Sequence, residues 1–269
     1  MTQPSTYTSY VAIGDSFTEG LEDPAPAAGY RGWADRLAEH LAAAGPGLRY
    51  ANLAVRGRLL RQIVDEQVPR AIELRPDLIT FAGGGNDLLR PSADPDALAV
   101  VFDAAVRRLR ATGAEVLVFT GFDTRDVPVL RRIRGKAAMF NLHLRAIADR
   151  HDCRIVDLWS MRQLLDPRAW AEDRLHMSPE GHRRVGLAAC EALGVPVTGD
   201  WRDPWPPAPP VDWLNSRRAD LRWARTYFLP WIQRRLRRRS SGDEVVAKRP
   251  DLLPLLADGE EAARPGPTG

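Results

Sequence analysis

From Tyr10 to about Leu193, short runs of apolar and β-branched residues alternate with longer stretches whose apolar residues recur at helical spacing. This alternation constrains the fold more than any other feature. Neighbouring strands joined by helices pair in parallel, and covering both faces of such a sheet with helices makes an open, doubly wound α/β layer structure. Five runs read as strands: Tyr10–Ile13, Arg49–Leu53, Leu78–Ala82, Val116–Thr120 and Arg154–Leu158. Helices are predicted near 32–44, 59–74, 94–112, 129–150 and 179–193. Over 94–112, Leu98, Val101, Phe102, Ala105 and Leu109 form an inward stripe, while Arg107, Arg108 and Arg110 take the solvated side. Ser178-Pro179 reads as a helix start, and Gly45 and Gly113 stand where helical runs stop.

Charge divides the chain of 269 residues, whose formal net value of +3 is an average over unlike parts. Between Leu214 and Arg239 lie nine arginines (217, 218, 222, 225, 234, 235, 237, 238 and 239) against one acid, Asp220, a net of +8. Three basic and six acidic residues after Arg239 bring −3, leaving −2 for Met1–Trp213. Five prolines between Pro204 and Pro210, and five of the eight tryptophans between Trp201 and Trp231, mark a change of texture at the same place. The expected organisation is a domain over residues 1–195, a Pro/Trp/Arg-rich extension over 196–239, and a flexible tail over 240–269. In the extension, Trp213–Leu229 and Trp231–Arg239 read as helices parted at Leu229-Pro230, where the proline disfavours helical geometry in the residue before it.

No stretch approaches the ~18 uninterrupted apolar residues that a membrane-spanning helix requires. Met1–Tyr10 has neither the basic start nor the apolar run of a secretory signal, so the expected location is cytoplasmic. The two cysteines, Cys153 and Cys190, have no metal-ligand spacing and read as buried, reduced thiols.

In a doubly wound sheet, ligands bind beyond the carboxyl ends of the strands, so the residues just after each strand carry the functional information. After the first stand Gly14, Asp15 and Ser16, placing a hydroxyl at a strand-to-helix turn. The spacing of Ser16 and Glu19 equally permits a capping box. After the second comes Gly57, which could present a backbone N–H or simply start a helix. After the third, Gly83–Gly85 precede Asn86 and Asp87; no phosphate-loop signature accompanies these glycines. Before the last helix, Asp173 lies three residues ahead of His176, close enough for its carboxylate to orient the imidazole. Metal binding is disfavoured, since the pair lacks a third nearby ligand. His182, His40, His143 and His151 fall in or beside helices and read as surface or capping side chains.

Taken in order, Gly14-Asp15-Ser16, Gly57, Gly84-x-Asn86-Asp87 and Asp173-x-x-His176 resemble the SGNH or GDSL-type serine hydrolase family over about Tyr10–Leu193, with Phe17 where the motif usually has leucine. The resemblance implies a flavodoxin-like three-layer α/β/α sandwich with a five-stranded parallel sheet, to which a C-terminal helical extension is added. It implies Ser16 as nucleophile, His176 as base and then acid, and Asp173 as its orienting carboxylate. The N–H groups of Ser16 and Gly57 and the Asn86 amide would form an oxyanion hole, with Asp15 and Asp87 bracing the loops. The expected reaction is cleavage of a small-molecule acyl ester through an acyl-serine, without metal or organic cofactor. Transfer to an acceptor alcohol would use the same intermediate. Phe17, Leu88 and Met177 adjoin the motifs and are candidates to shape the acyl pocket. The family does not account for the segment after Pro196. Packing on the body, with Leu221, Ala224, Phe228 and Ile232 on one stripe, is the favoured reading of that segment; its arginines and aromatics would also suit an anionic membrane surface, as in a surface-associated lysophospholipase, and no nucleic-acid motif accompanies them.

Overall fold

All five residues of β1 (Ser9–Ile13) are buried, Tyr10 and Ala12 in one apolar cluster and Val11 and Ile13 in a second. Side chains alternate across a strand, so a strand buried on both sides sits in mid-sheet with a layer on each face. The computed structural model describes residues 7–25, 29–127, 130–207, 213–228 and 244–255, together with Pro230 and Gly242.

After β1 come α1 (Ser16–Glu19), a small ribbon of β2 (Pro24–Ala25) and β3 (Gly29–Tyr30), α2 (Trp33–Ala44) and β4 (Arg49–Asn52). A helical run then passes from α3 (Leu60–Gln62) through a π turn at Ile63–Gln67 into α4 (Val68–Leu74). The π turn ends at Gln67, two residues before Pro69, which has no N–H to give to a regular helix. There follow β5 (Leu78–Phe81), α5 (Gly85–Leu88), α6 (Pro95–Arg110), β6 (Glu115–Phe119), α7 (Arg134–Arg150), β7 (Arg154–Val156) and α8 (Pro179–Leu193). The chain continues into α9 (Trp213–Trp223), its π-helical extension Ala224–Phe228, and β8 (Arg249–Pro254).

The strand order is β7-β6-β5-β1-β4-β8, with the first five parallel. Those five have the flavodoxin-like order, and the chain reverses its direction of progress across the sheet at β1. Helices α2 and α8 cover one face, and α4, α6 and α7 the other. On the second face the rings of Phe81 and Phe102 stack at 4.3 Å, with Phe140 edge-on to Phe102.

The sheet has six strands where the sequence implies five. Strand β8 lies antiparallel to β4, pairing Arg49 with Pro254 and Tyr50 with Leu253, so part of the expected flexible tail is an edge strand. Pro250 and Pro254 lack N–H groups, which is tolerable only where one side of a strand is unpaired. The helix expected over Trp231–Arg239 lies outside the described residues, as does the tail beyond Leu255. Among the described residues, no helix is long and apolar enough to cross a membrane. Cys190 is buried, whereas Cys153 is only half-buried.

Candidate active site

Ser16 is the first residue of α1, at the carboxyl end of the central strand. The cap of that helix is Asp15, whose carboxylate accepts from the N–H of Phe17 at 3.1 Å. The serine hydroxyl is therefore not the cap. Glu19, the other half of the possible capping box, turns inward and is 3% exposed. It accepts from the backbone N–H of Arg56 at 2.7 Å and from Arg56 Nε at 3.0 Å. Gln67 holds the turn from below: its side chain accepts from Gly14 N–H at 2.8 Å and donates to Gly14 C=O at 2.9 Å.

The loop before α8 brings the imidazole over. Trp170 and Met177 form an antiparallel bridge, the Ala171 N–H donates to His176 C=O, and the turn between them places Arg174 in the left-handed region, φ 58°. This folds Asp173 back on His176. Asp173 Oδ1 accepts from the N–H groups of Leu175 and His176, both at 3.0 Å, while Oδ2 lies 2.5 Å from His176 Nδ1. On the far side of the ring, Nε2 is 3.1 Å from Ser16 Oγ. Burial alone would raise the Asp173 pKa, but the bonds and positive charge offered by His176, with the two N–H groups, hold it below the usual carboxylate range. An ionised carboxylate at Nδ1 keeps the proton there and leaves Nε2 to accept from the serine hydroxyl.

The third loop follows β5. Gly84 has φ 98°, and a Cβ there would stand 2.7 Å from the Phe140 ring, so the position requires glycine twice over. Asn86 Nδ2 donates to Asp15 Oδ2 at 3.2 Å and to Arg58 C=O at 3.0 Å. Asp87 accepts from Leu60 N–H at 2.8 Å, tying this loop to α3. Gly57 (φ 74°) stands between Arg56 and Arg58, and both of those neighbours are tied to the loops of the serine and the asparagine. Burial pushes the Asp15 carboxyl up to about 6, even though Phe17 N–H and His176 oppose the shift.

Asp15, Ser16, Asn86 and His176 open on a cavity of about 180 Å³ with mainly apolar walls, which Gly57, Asp87 and Asp173 do not line. Phe17, Leu88 and Met177 line it, and so do Leu130, Phe140 and Leu144, which extend it under α7. His182 lines it too, and here the sequence reading is corrected. It is 1% exposed, with Nδ1 accepting from Trp33 N–H and Nε2 facing Leu21 C=O, each at 3.3 Å. Burial pushes its pKa down to about 3, so it is neutral. One turn into α8, on the face turned to α2, it has no solvent side.

The family model described as GDSL-like Lipase/Acylhydrolase matches residues 12–184. The chain belongs to this family. It is thus a carboxylic ester hydrolase, and triad and oxyanion-hole chemistry is typical of the group. Solved structures agree in fold. A hydrolase from the Lake Arreo metagenome superposes with a TM-score of 0.59 at 24% identity, covering 70% of this chain and 95% of its own. An acetylxylan esterase from Geobacillus stearothermophilus gives 0.57 at 21%, covering 72% and 95%. The structure of TesA gives 0.58 at 21%, covering 69% and 97%. No curated protein matches in sequence.

Two supports of this GDSL-like hydrolase were missed in the sequence. Gln67 is buried in a run, the π turn and α4, whose other buried residues are the apolar Ile63, Val68 and Ala71, and a lone amide among apolar residues was its available signal. Glu19 was noticed only as a capping partner. Its pairing with Arg56, 37 positions away, leaves no mark in local spacing.

Proposed function

We propose that the chain hydrolyses esters of apolar carboxylic acids through an acyl-Ser16 intermediate. The observation that carries this reading is the continuous line from Asp173 Oδ2 through the two nitrogens of His176 to Ser16 Oγ, at 2.5 and 3.1 Å. In the first step Ser16 Oγ attacks the ester carbonyl carbon as His176 Nε2 takes the hydroxyl proton. Negative charge collects on the former carbonyl oxygen, beside the N–H groups of Ser16 and Gly57 and the amide of Asn86. Asn86 can serve that oxygen by exchanging one of its two bonds, to Asp15 or to Arg58. Collapse expels the alcohol, which takes the proton from His176. Water then repeats the sequence on the acyl-enzyme, releasing the acid and restoring Ser16. Asp173 orients the ring and balances its positive charge.

The walls under α7 supply the acyl preference. Leu88, Phe140 and Leu144 offer no polar partner to an acyl chain, so each methylene buried there contributes about 0.8 kcal/mol, roughly fourfold in affinity. A p-nitrophenyl ester series from acetate to decanoate tests both parts. The expected result is a kcat/KM that rises with chain length until the cavity is full, and a loss of about 10⁶-fold in kcat in Ser16→Ala with an unchanged circular dichroism spectrum. Full activity in Ser16→Ala overturns the mechanism; a preference for acetate overturns the acyl assignment.

A further inference from the structure

We propose that the arginine-rich extension is a clamp on the acid–base loop, with Trp223 as the positioning residue that acts through Asp173. The inference rests on the triad reading above. Three successive residues of that loop each meet one face of the extension. Tyr227 Oη donates to Glu172 Oε2 at 3.2 Å, Trp223 Nε1 donates to the backbone C=O of Asp173 at 2.8 Å, and Arg174 Nη1 pairs with Asp220 Oδ1 at 2.8 Å. The Arg174 guanidinium also lies over the Trp223 ring, 5.1 Å from its centre.

Asp220, Trp223 and Tyr227 are spaced by three and four, which puts them on one stripe of a helical segment. Asp220 is the single acid among nine arginines, and it is spent on this contact. Exposed Arg218, Arg222 and Arg225 lie off the stripe.

The clamped segment needs holding. Arg174 is a side-chain-bearing residue in the left-handed region, a strained conformation that persists only where its surroundings enforce it. The Asp173 carbonyl is held by Trp223 while its carboxylate reaches His176; a donor fixed on that carbonyl limits rotation of the whole residue. Trp223 meets the loop through the Asp173 carbonyl and the Arg174 guanidinium. Its effect is on how often Asp173 and His176 stand in line with Ser16.

Steady-state kinetics of the full chain test this with p-nitrophenyl octanoate. Trp223→Phe keeps a ring and removes the N–H donor. Its kcat is expected to fall about tenfold with KM within twofold, and the same substitution is expected to cost nothing further in an Asp173→Asn background, because the clamp then has no carboxylate to align. Asp220→Asn, on an exposed site that cannot unfold the body, is expected to lower kcat two- to threefold in the same pattern. Unchanged kcat in both single variants, or an equal loss in the Asp173→Asn background, overturns the clamp. Ser16→Ala is run alongside: if it is inactive while the Trp223 and Asp220 variants are unaffected, the triad reading stands and only the clamp is rejected, whereas activity in Ser16→Ala rejects the triad itself.

Discussion

Where the parallel strands hold together through wholly buried apolar side chains, the residues after Pro196 hold on through polar groups and aromatic rings at the rim. Val11, Ile79, Phe81 and Val118 show no exposed surface. Trp201 Nε1, by contrast, donates to Glu191, and Trp205 Nε1 to the Gln163 carbonyl, with Arg184 4.4 Å above the Trp205 ring. Lys248 reaches the carbonyls of Glu19 and Tyr30 and the carboxylate of Asp35. Gly242 sits so close to the Arg56 carbonyl that a Cβ would come within 1.9 Å. The appendage thus touches the site twice, at the acid–base loop and beside the loop of Gly57. The difference teaches that the body determines where the reacting groups are, and the appendage how tightly their loops are held.

Four substitutions can break or sharpen that comparison. Asp173→Asn, in the body, removes the charge that orients His176 and should lower kcat about 10⁴-fold without unfolding, as stopped-flow or steady-state assays can show. Asn86→Ala should cost about 10²- to 10³-fold in kcat, roughly 2.7–4 kcal/mol of barrier, again with the melting temperature nearly unchanged. Lys248→Met, in the appendage, should invert the pattern. It strands the buried Asp35 carboxylate, whose pKa burial already raises against the opposing pull of Lys248, and the expected loss is about 3 kcal/mol, or about 6–12 °C in calorimetry. A smaller loss of kcat than in Asn86→Ala accompanies it; the reverse ranking would erase the distinction between the two regions.

The smallest effect concerns pH. With its folded pKa near 3 against an ordinary 6.5, His182 binds a proton in the unfolded chain but not in the folded one throughout that window. Stability therefore falls on acidification from about 6.5 toward 3, by at most about 1.4 kcal/mol per pH unit from this group. Asp15 has the opposite sign: its folded pKa near 6 lies above the ordinary 3.8, so it takes up a proton more readily when folded and offsets part of the loss between those values. Urea denaturation at pH 7 and pH 5 should show a smaller pH dependence in His182→Gln than in the wild type.

The body was legible because its signals are local. Strand and helix periods repeat within a few residues, and Ser178 and Pro179 announce α8 as directly as its observed cap, in which Ser178 Oγ accepts from Gly181 N–H. The loops after β1 and β5 and before α8 were found because the doubly wound topology says where to look. What escaped notice depends on residues far apart in the chain. Strand β8 is a proline-bounded stretch whose pairing with β4 follows from an open sheet edge, not from its own pattern. The burial of His182 follows from the packing of α8 on α2, and the role of Trp223 from a turn 50 residues earlier. Each depends on contacts between residues far apart in the chain, and neither periodicity nor composition records such contacts.

The most direct measurement of the central claim is active-site labelling. A fluorophosphonate should inactivate the protein with one-to-one stoichiometry, and peptide mass spectrometry should place the adduct on Ser16, with the rate of labelling greatly reduced in His176→Ala. Rapid labelling at another residue, or full activity retained after Ser16 is modified, would contradict the account.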